Sequence, residues 1–143
     1  MSTGAAPPRS APEACALLGD EELARRLYEL LVPRDGLCIL GGRGVYFRGA
    51  AARYLGLLAS TLGRGGVAIR HHEDALLTNR RAQAPPWVAR SLLDLARALL
   101  ARRGPGDEQR AVDLLERAEP LARRLGMRSV TAQAVGARSA ISA

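Results

Sequence analysis

An all-α fold is predicted for this chain by three observations. Of its 143 residues 48% are hydrophobic but only 3% aromatic, so any core is built mostly from Leu, Ala and Val. Leu and Ala are strong helix formers, whereas the aromatic and β-branched residues that favour strands are scarce. Apolar residues recur at i, i+3, i+4 and i+7 in blocks separated by Pro and Gly, the signature of amphipathic helices joined by turns. The length suits one domain with a moderate core.

Residues 1–13 are mainly Ala, Pro, Ser and Gly with little to bury, and read as a disordered N-terminal tail. The first predicted helix starts at Asp20, a good N-cap, with Glu21 and Glu22 at the positive end of the helix dipole. Leu23, Leu27, Leu30 and Leu31 form its apolar stripe, and Pro33 with Arg34-Asp35-Gly36 ends it. Residues 36–44, GLCILGGRG, read as an inter-helix connection whose apolar residues cover the core. A glycine-rich loop can cradle phosphate through backbone N–H groups. This one has neither the Gly-Lys-Ser/Thr ending nor the GxGxxG spacing that such binding needs.

A second helix is predicted from about Val45 to Leu62, with the stripe Ala51, Leu55, Leu58, Leu62 and a small-residue face of Ala52, Gly56 and Ala59. After Gly63, Gly65 and Gly66, a third helix runs to about Arg81 and turns Ala68, His72, Ala75 and Leu76 inward. These two antiparallel helices form the centre on which the other segments pack. Pro85-Pro86 forces a restart, and a fourth helix to about Arg103 carries Leu92, Ala96, Leu99 and Leu100 on one side. Gly104-Pro105-Gly106 is a turn, and Asp107 caps a fifth helix with the stripe Ala111, Leu114, Leu115, Ala118. Pro120 should kink or split it, with Gly126 as the C-terminal cap. Residues 129–143 are small and weakly patterned, a flexible C-terminal tail or one loose helix. The helical domain thus spans 20–126, with five or six helices.

The net charge of +7 suggests a basic helical nucleic-acid-binding protein as the alternative reading. All 21 basic residues, however, are Arg and lie along the whole chain rather than in a patch interleaved with aromatics. Glu21–Arg25, Glu22–Arg26, Asp113–Arg117 and Glu119–Arg123 stand at i,i+4 with the acid first, the favourable order on a solvated helix face. Two cysteines, Cys15 and Cys38, make no disulfide framework, and the chain has neither a signal-peptide-like start nor an apolar run of membrane length. A cytoplasmic location with reduced thiols is the expectation.

No catalytic or metal motif emerges. His71 and His72 are adjacent, so they point about 100° apart on a helix, and the nearest other ligands in sequence are Glu73 and Asp74. His72 reads as a core residue and His71 as a surface one. A Cys–His nucleophile pair is equally poorly supported, with Cys15 in the tail and Cys38 in an apolar run. No enzyme activity, cofactor or metal is expected.

Helix hairpins at this spacing match the tetratricopeptide pattern in part. Ala52, Leu55, Gly56 and Ala59 fit its first half and Ala68, His72 and Ala75 its second. Leu92, Leu93 and Ala96, then Ala111, Leu115 and Ala118, fit a second unit whose turn is lengthened at GPGDEQ. The helix from Leu23 to Pro33 fits the second half of a preceding unit. The phrases RYLGLLASTLGR, ALLTNRR, PWVARSLLDLARALLARRGPGDEQRAVDLLERA and LARRLGM resemble, over about residues 22–128, the C-terminal helical-repeat region of bacterial LuxR-type or cyclase-linked, ATPase-containing transcriptional regulators. The chain departs from that pattern at Gly65-Gly66-Val67, where the family has Trp and acidic residues, and at His72, which replaces an aromatic.

That resemblance implies a short solenoid of helix hairpins acting as a non-catalytic protein–protein interaction module. Since neither an ATPase nor an output domain fits in the chain, it implies a detached repeat module or a terminal remnant. Repeat folds bind through the concave face of their first helices. By the resemblance, Ala50, Arg53, Leu57 and Ser60, then Trp87, Arg90, Asp94 and Arg97, face that groove. Three arginines and the only Trp suit an acidic peptide segment or a chain-terminal carboxylate, because Arg pairs carboxylates bidentately and Trp is a frequent anchor. With about two and a half units, against the roughly three that usually stack stably, self-association or docking on a larger protein is expected.

Overall fold

The computed structural model describes residues 10–41 and 46–143, with Gly41 and residues 46–48 described as backbone only. Among them are seven helices: α1 (Ala11–Leu18), α2 (Glu21–Leu31), α3 (Ala51–Thr61), α4 (Gly65–Arg81), α5 (Pro85–Arg102), α6 (Asp107–Arg124) and α7 (Arg128–Ser142). From α3 onward each helix packs on the next, and α1 with α3, α3 with α5, and α5 with α7 also touch. The all-α prediction holds.

Local chemistry sets the boundaries. The Ser10 hydroxyl accepts from the Glu13 N–H at 3.3 Å and starts α1, while Asp20 accepts from the Leu23 N–H at 3.0 Å and starts α2. Gly19, at φ +66°, turns the chain between them in the left-handed region that glycine enters without strain. The short 3-10 turn Val32–Arg34 follows α2.

Four expectations are corrected. The disordered tail does not extend to residue 13, because Ala11–Glu13 belong to α1; residues 1–9 lie outside the described residues. The stripe that α2 buries is Ala24 with Leu27, Tyr28 and Leu31, whereas Leu23 and Leu30 face outward. The segment read as a connection, and the beginning of the predicted second helix, instead supply an antiparallel strand pair. β1 (Cys38–Gly41) runs against β2 (Tyr46–Ala50), with Leu40 opposite Phe47 and an irregularity between Cys38 and Leu40. Its run Tyr46-Phe47 supplies locally the β-favouring residues that the chain lacks elsewhere, and α3 starts only at Ala51. Leu37 and Leu40 are exposed rather than covering the core; the remainder of the glycine-rich run, residues 42–45, lies outside the described residues.

The C-terminal part follows the pattern more closely. Ala68, His72, Ala75 and Leu76 of α4 and Ala111, Leu114, Leu115 and Ala118 of α6 are all buried. Pro120 does not end α6, which continues to Arg124. Residues 128–142 form a docked helix, with Val130 and Ala134 buried against the cluster that contains Leu92, Leu95, Leu99 and Leu115. A smaller cluster, Cys15, Ala24 and Leu58, holds α1, α2 and α3 together. Among the described residues no helix is long and apolar enough to cross a membrane.

Candidate functional site

The residues predicted to face a groove fall into two groups. Arg53 on α3 and Asp94 on α5 are buried, with 5% and 8% of their surface exposed, and they pair: Arg53 Nε donates to Asp94 Oδ2 at 2.7 Å. Arg53 Nη1 also donates to Glu13 Oε1 on α1 at 2.9 Å, so one guanidinium links three helices. Burial works against the charge on Arg53, but the Asp94 and Glu13 carboxylates outweigh it and raise its pKa above the ordinary value. Burial likewise opposes ionisation of Asp94, and the adjacent Arg53 charge overcomes it, holding the carboxyl below its usual range.

Trp87, Arg90 and Leu57 are half-buried, and Arg97 and Ser60 are exposed. Two guanidinium groups stand over the Trp87 ring, with Arg53 Cζ 5.8 Å and Arg90 Cζ 5.7 Å from its centroid. Gly49, at φ +82°, gives the ring its seat: a Cβ there would stand 2.8 Å from two of the ring carbons. Ala50 is buried, and its N–H donates to Asn79 Oδ1 at 3.0 Å while Asn79 Nδ2 donates to Ser91 Oγ at 3.0 Å. That chain of bonds ties β2 to α4 and α5 around the same centre. Neither Glu13 nor the Asn79–Ser91 pair was singled out from the sequence, because their roles depend on elements brought together across the fold.

The two histidines have different surroundings. His72 is buried against Gly56 of α3, where a Cβ would lie 2.5 Å from the ring, and its Nδ1 has no hydrogen-bond partner. Desolvation lowers its pKa. His71, half-buried rather than on the surface, points toward α2. Its Nε2 lies 2.8 Å from the Tyr28 hydroxyl of α2, and its Nδ1 lies 3.8 Å from Asp35 Oδ2 in the turn before β1. Asp35, His71 and Asp74 each place one ligand atom within 4.8 Å of the others. The sequence signal for part of this group is His71–Asp74 at i,i+3, one helix face; Asp35 comes from a distant segment.

Cys15 is not poised for nucleophilic chemistry. It donates to the Asp20 carbonyl at 3.0 Å, and desolvation pushes its pKa up, which disfavours the thiolate. Cys38 is exposed on β1. No family model, curated protein or solved structure matches the chain.

Proposed function

We propose that this protein is a non-catalytic protein–protein interaction module built as a short stack of helix hairpins, related to the helical-repeat regions of bacterial transcriptional regulators. One observation carries this reading. Of ten exposed large apolar side chains among the described residues, seven (Leu17, Leu18, Leu23, Leu30, Val32, Leu37 and Leu40) belong to the segment from α1 to β1. Where such side chains come together on the surface, they suit burial against another protein. The alternation of contacts, with neighbours packed and every second helix touching, supports the hairpin stack.

The face that carries Leu57, Trp87, Arg90 and Arg97 is the proposed second contact region, suited to an acidic segment. Arg53 and Asp94 support that face from within, since their charges already satisfy one another.

Sedimentation velocity over a range of protein concentrations, on the wild type and on Leu17→Ser/Leu18→Ser, tests this reading. Association that weakens with the double substitution is the expected result. A wild type that stays monomeric at every concentration and binds oligonucleotides with steeply salt-dependent affinity would favour the nucleic-acid alternative and sink the proposal.

A further inference from the structure

His71 poses a local problem that hydrogen bonding does not solve. Its Nδ1 is shielded from solvent and has no hydrogen-bond partner, although the imidazole lies beside two carboxylates. Tyr28 occupies the other ring nitrogen at 2.8 Å. If Nε2 carries the proton and donates to the Tyr28 oxygen, the Nδ1 lone pair stands next to Asp35 and Asp74 with no donor between them. If Nδ1 carries the proton, the 3.8 Å to Asp35 Oδ2 is too long for a hydrogen bond. A cation among the three groups satisfies all of them in the first tautomer.

We infer that Asp35, His71 and Asp74 form a site for a first-row divalent transition ion, of which Zn2+ or Mn2+ serves as the probe. The class follows from the donors: two carboxylate oxygens with one imidazole nitrogen suit borderline ions better than Mg2+ or Ca2+, which take oxygen ligands. The spacing is close to what an ion requires. Three ligands spaced evenly around one ion, each about 2.2 Å from it, stand about 3.6–3.8 Å from one another. The Asp35–His71 pair stands at that spacing, at 3.8 Å, and all three ligand atoms lie within 4.8 Å of one another, so the carboxylates need to close by about 1 Å at most.

Asp35 and Asp74 are exposed, so their side chains can make that adjustment and water can fill the remaining positions. Tyr28 acts as a positioning residue: by accepting from Nε2 it fixes the ring orientation and presents Nδ1 to the ion. Arg70 also acts on His71, but the two carboxylates outnumber it. The bound ion would tie the turn after α2 to the middle of α4.

The test uses the full chain carrying Cys38→Ser, which removes an exposed thiol as a competing zinc ligand. Calorimetric titration with ZnCl2 should give one ion per chain, with MgCl2 giving no saturable signal. Asp35→Asn and Asp74→Asn should each abolish Zn2+ binding while keeping the wild-type helical spectrum. Tyr28→Phe should weaken binding about tenfold or more. A measurement without changes to the site itself is Mn2+ titration followed by NMR, in which broadening should centre on Tyr28, Asp35, His71 and Asp74. Absence of saturable Zn2+ binding, broadening centred elsewhere, or binding retained in Asp35→Asn/Asp74→Asn would each overturn the inference.

Discussion

Asp107 shows how much one side chain can fix. Read from the sequence as an N-cap, it is the first residue of α6 and closes the turn from α5 instead. Its Oδ2 accepts from the Gly104 N–H at 2.7 Å and from Arg102 Nε at 2.8 Å, and its Oδ1 accepts from Arg102 Nη2 at 2.7 Å. The Arg102 hydrogen bonds lower its pKa to about 2, with desolvation opposing and the Gly104 N–H assisting. The sign of the linkage follows. A carboxyl whose folded pKa lies below its unfolded value of about 3.9 contributes stability that is present above pH 4 and lost as pH falls toward 2. Thermal midpoints measured from pH 5 to pH 2 should therefore fall less steeply for Asp107→Asn than for the wild type. Equal slopes would mean that Asp107 is not held in this bidentate pair.

Between elements, the α3–α4 seam is a contact of small residues. Ala52 packs with Ala75, and Gly56 leaves room for the His72 ring. Gly56→Ala would place a methyl about 2.5 Å from that ring, an overpacking that destabilises by about 1–3 kcal/mol. The same substitution in a His72→Ala background should cost much less, since the obstructing ring is gone; a double-mutant cycle without coupling would refute the contact. This seam was legible in the sequence, because Ala52, Gly56, Ala59, Ala68 and Ala75 lie on helical periods and periodicity reports which face is buried. The strand pair was not, because a few β-favouring residues among glycines give no period to read. α1 was hidden for a similar reason: Ala11-Pro12 reads as linker composition, and the helix depends on the Ser10 cap and on burial of Cys15 against α2 and α3. In the candidate site, the resemblance placed Arg53, Trp87 and Asp94 together on a groove face, whereas Arg53 and Asp94 are buried. It gave no sign that Arg53 and Asp94 neutralise each other, since their pairing is a property of the distance between α3 and α5.

At the scale of the molecule, two larger apolar clusters meet at a junction that holds a small third one, Ala50, Ala52 and Ala75, together with polar links. Cys15, Ala24 and Leu58 centre the N-terminal cluster, while Leu92, Leu95, Leu99 and Leu115 centre the C-terminal one. The Glu13–Arg53–Asp94 ladder and the Ala50–Asn79–Ser91 bonds cross the junction. Stacks in which helices mainly touch their neighbours can open from one end, so the junction governs how far an opening spreads. Removing Arg53 leaves Asp94 buried without its counter-charge, a penalty of about 3–5 kcal/mol when one member of a buried pair is deleted. That penalty exists only while α3 covers Asp94. Undocking α1–α3 returns the carboxylate to water and relieves it, while α5 and α6 keep their own packing. Arg53→Ala should therefore lower amide hydrogen-exchange protection sharply in α1–α3 and much less in α5 and α6. Arg53→Met/Asp94→Leu, which removes both charges and keeps apolar volume, should restore most of the protection in α1–α3. A uniform loss across all helices would show instead that the chain opens as one cooperative unit and that the junction is no weaker than either cluster.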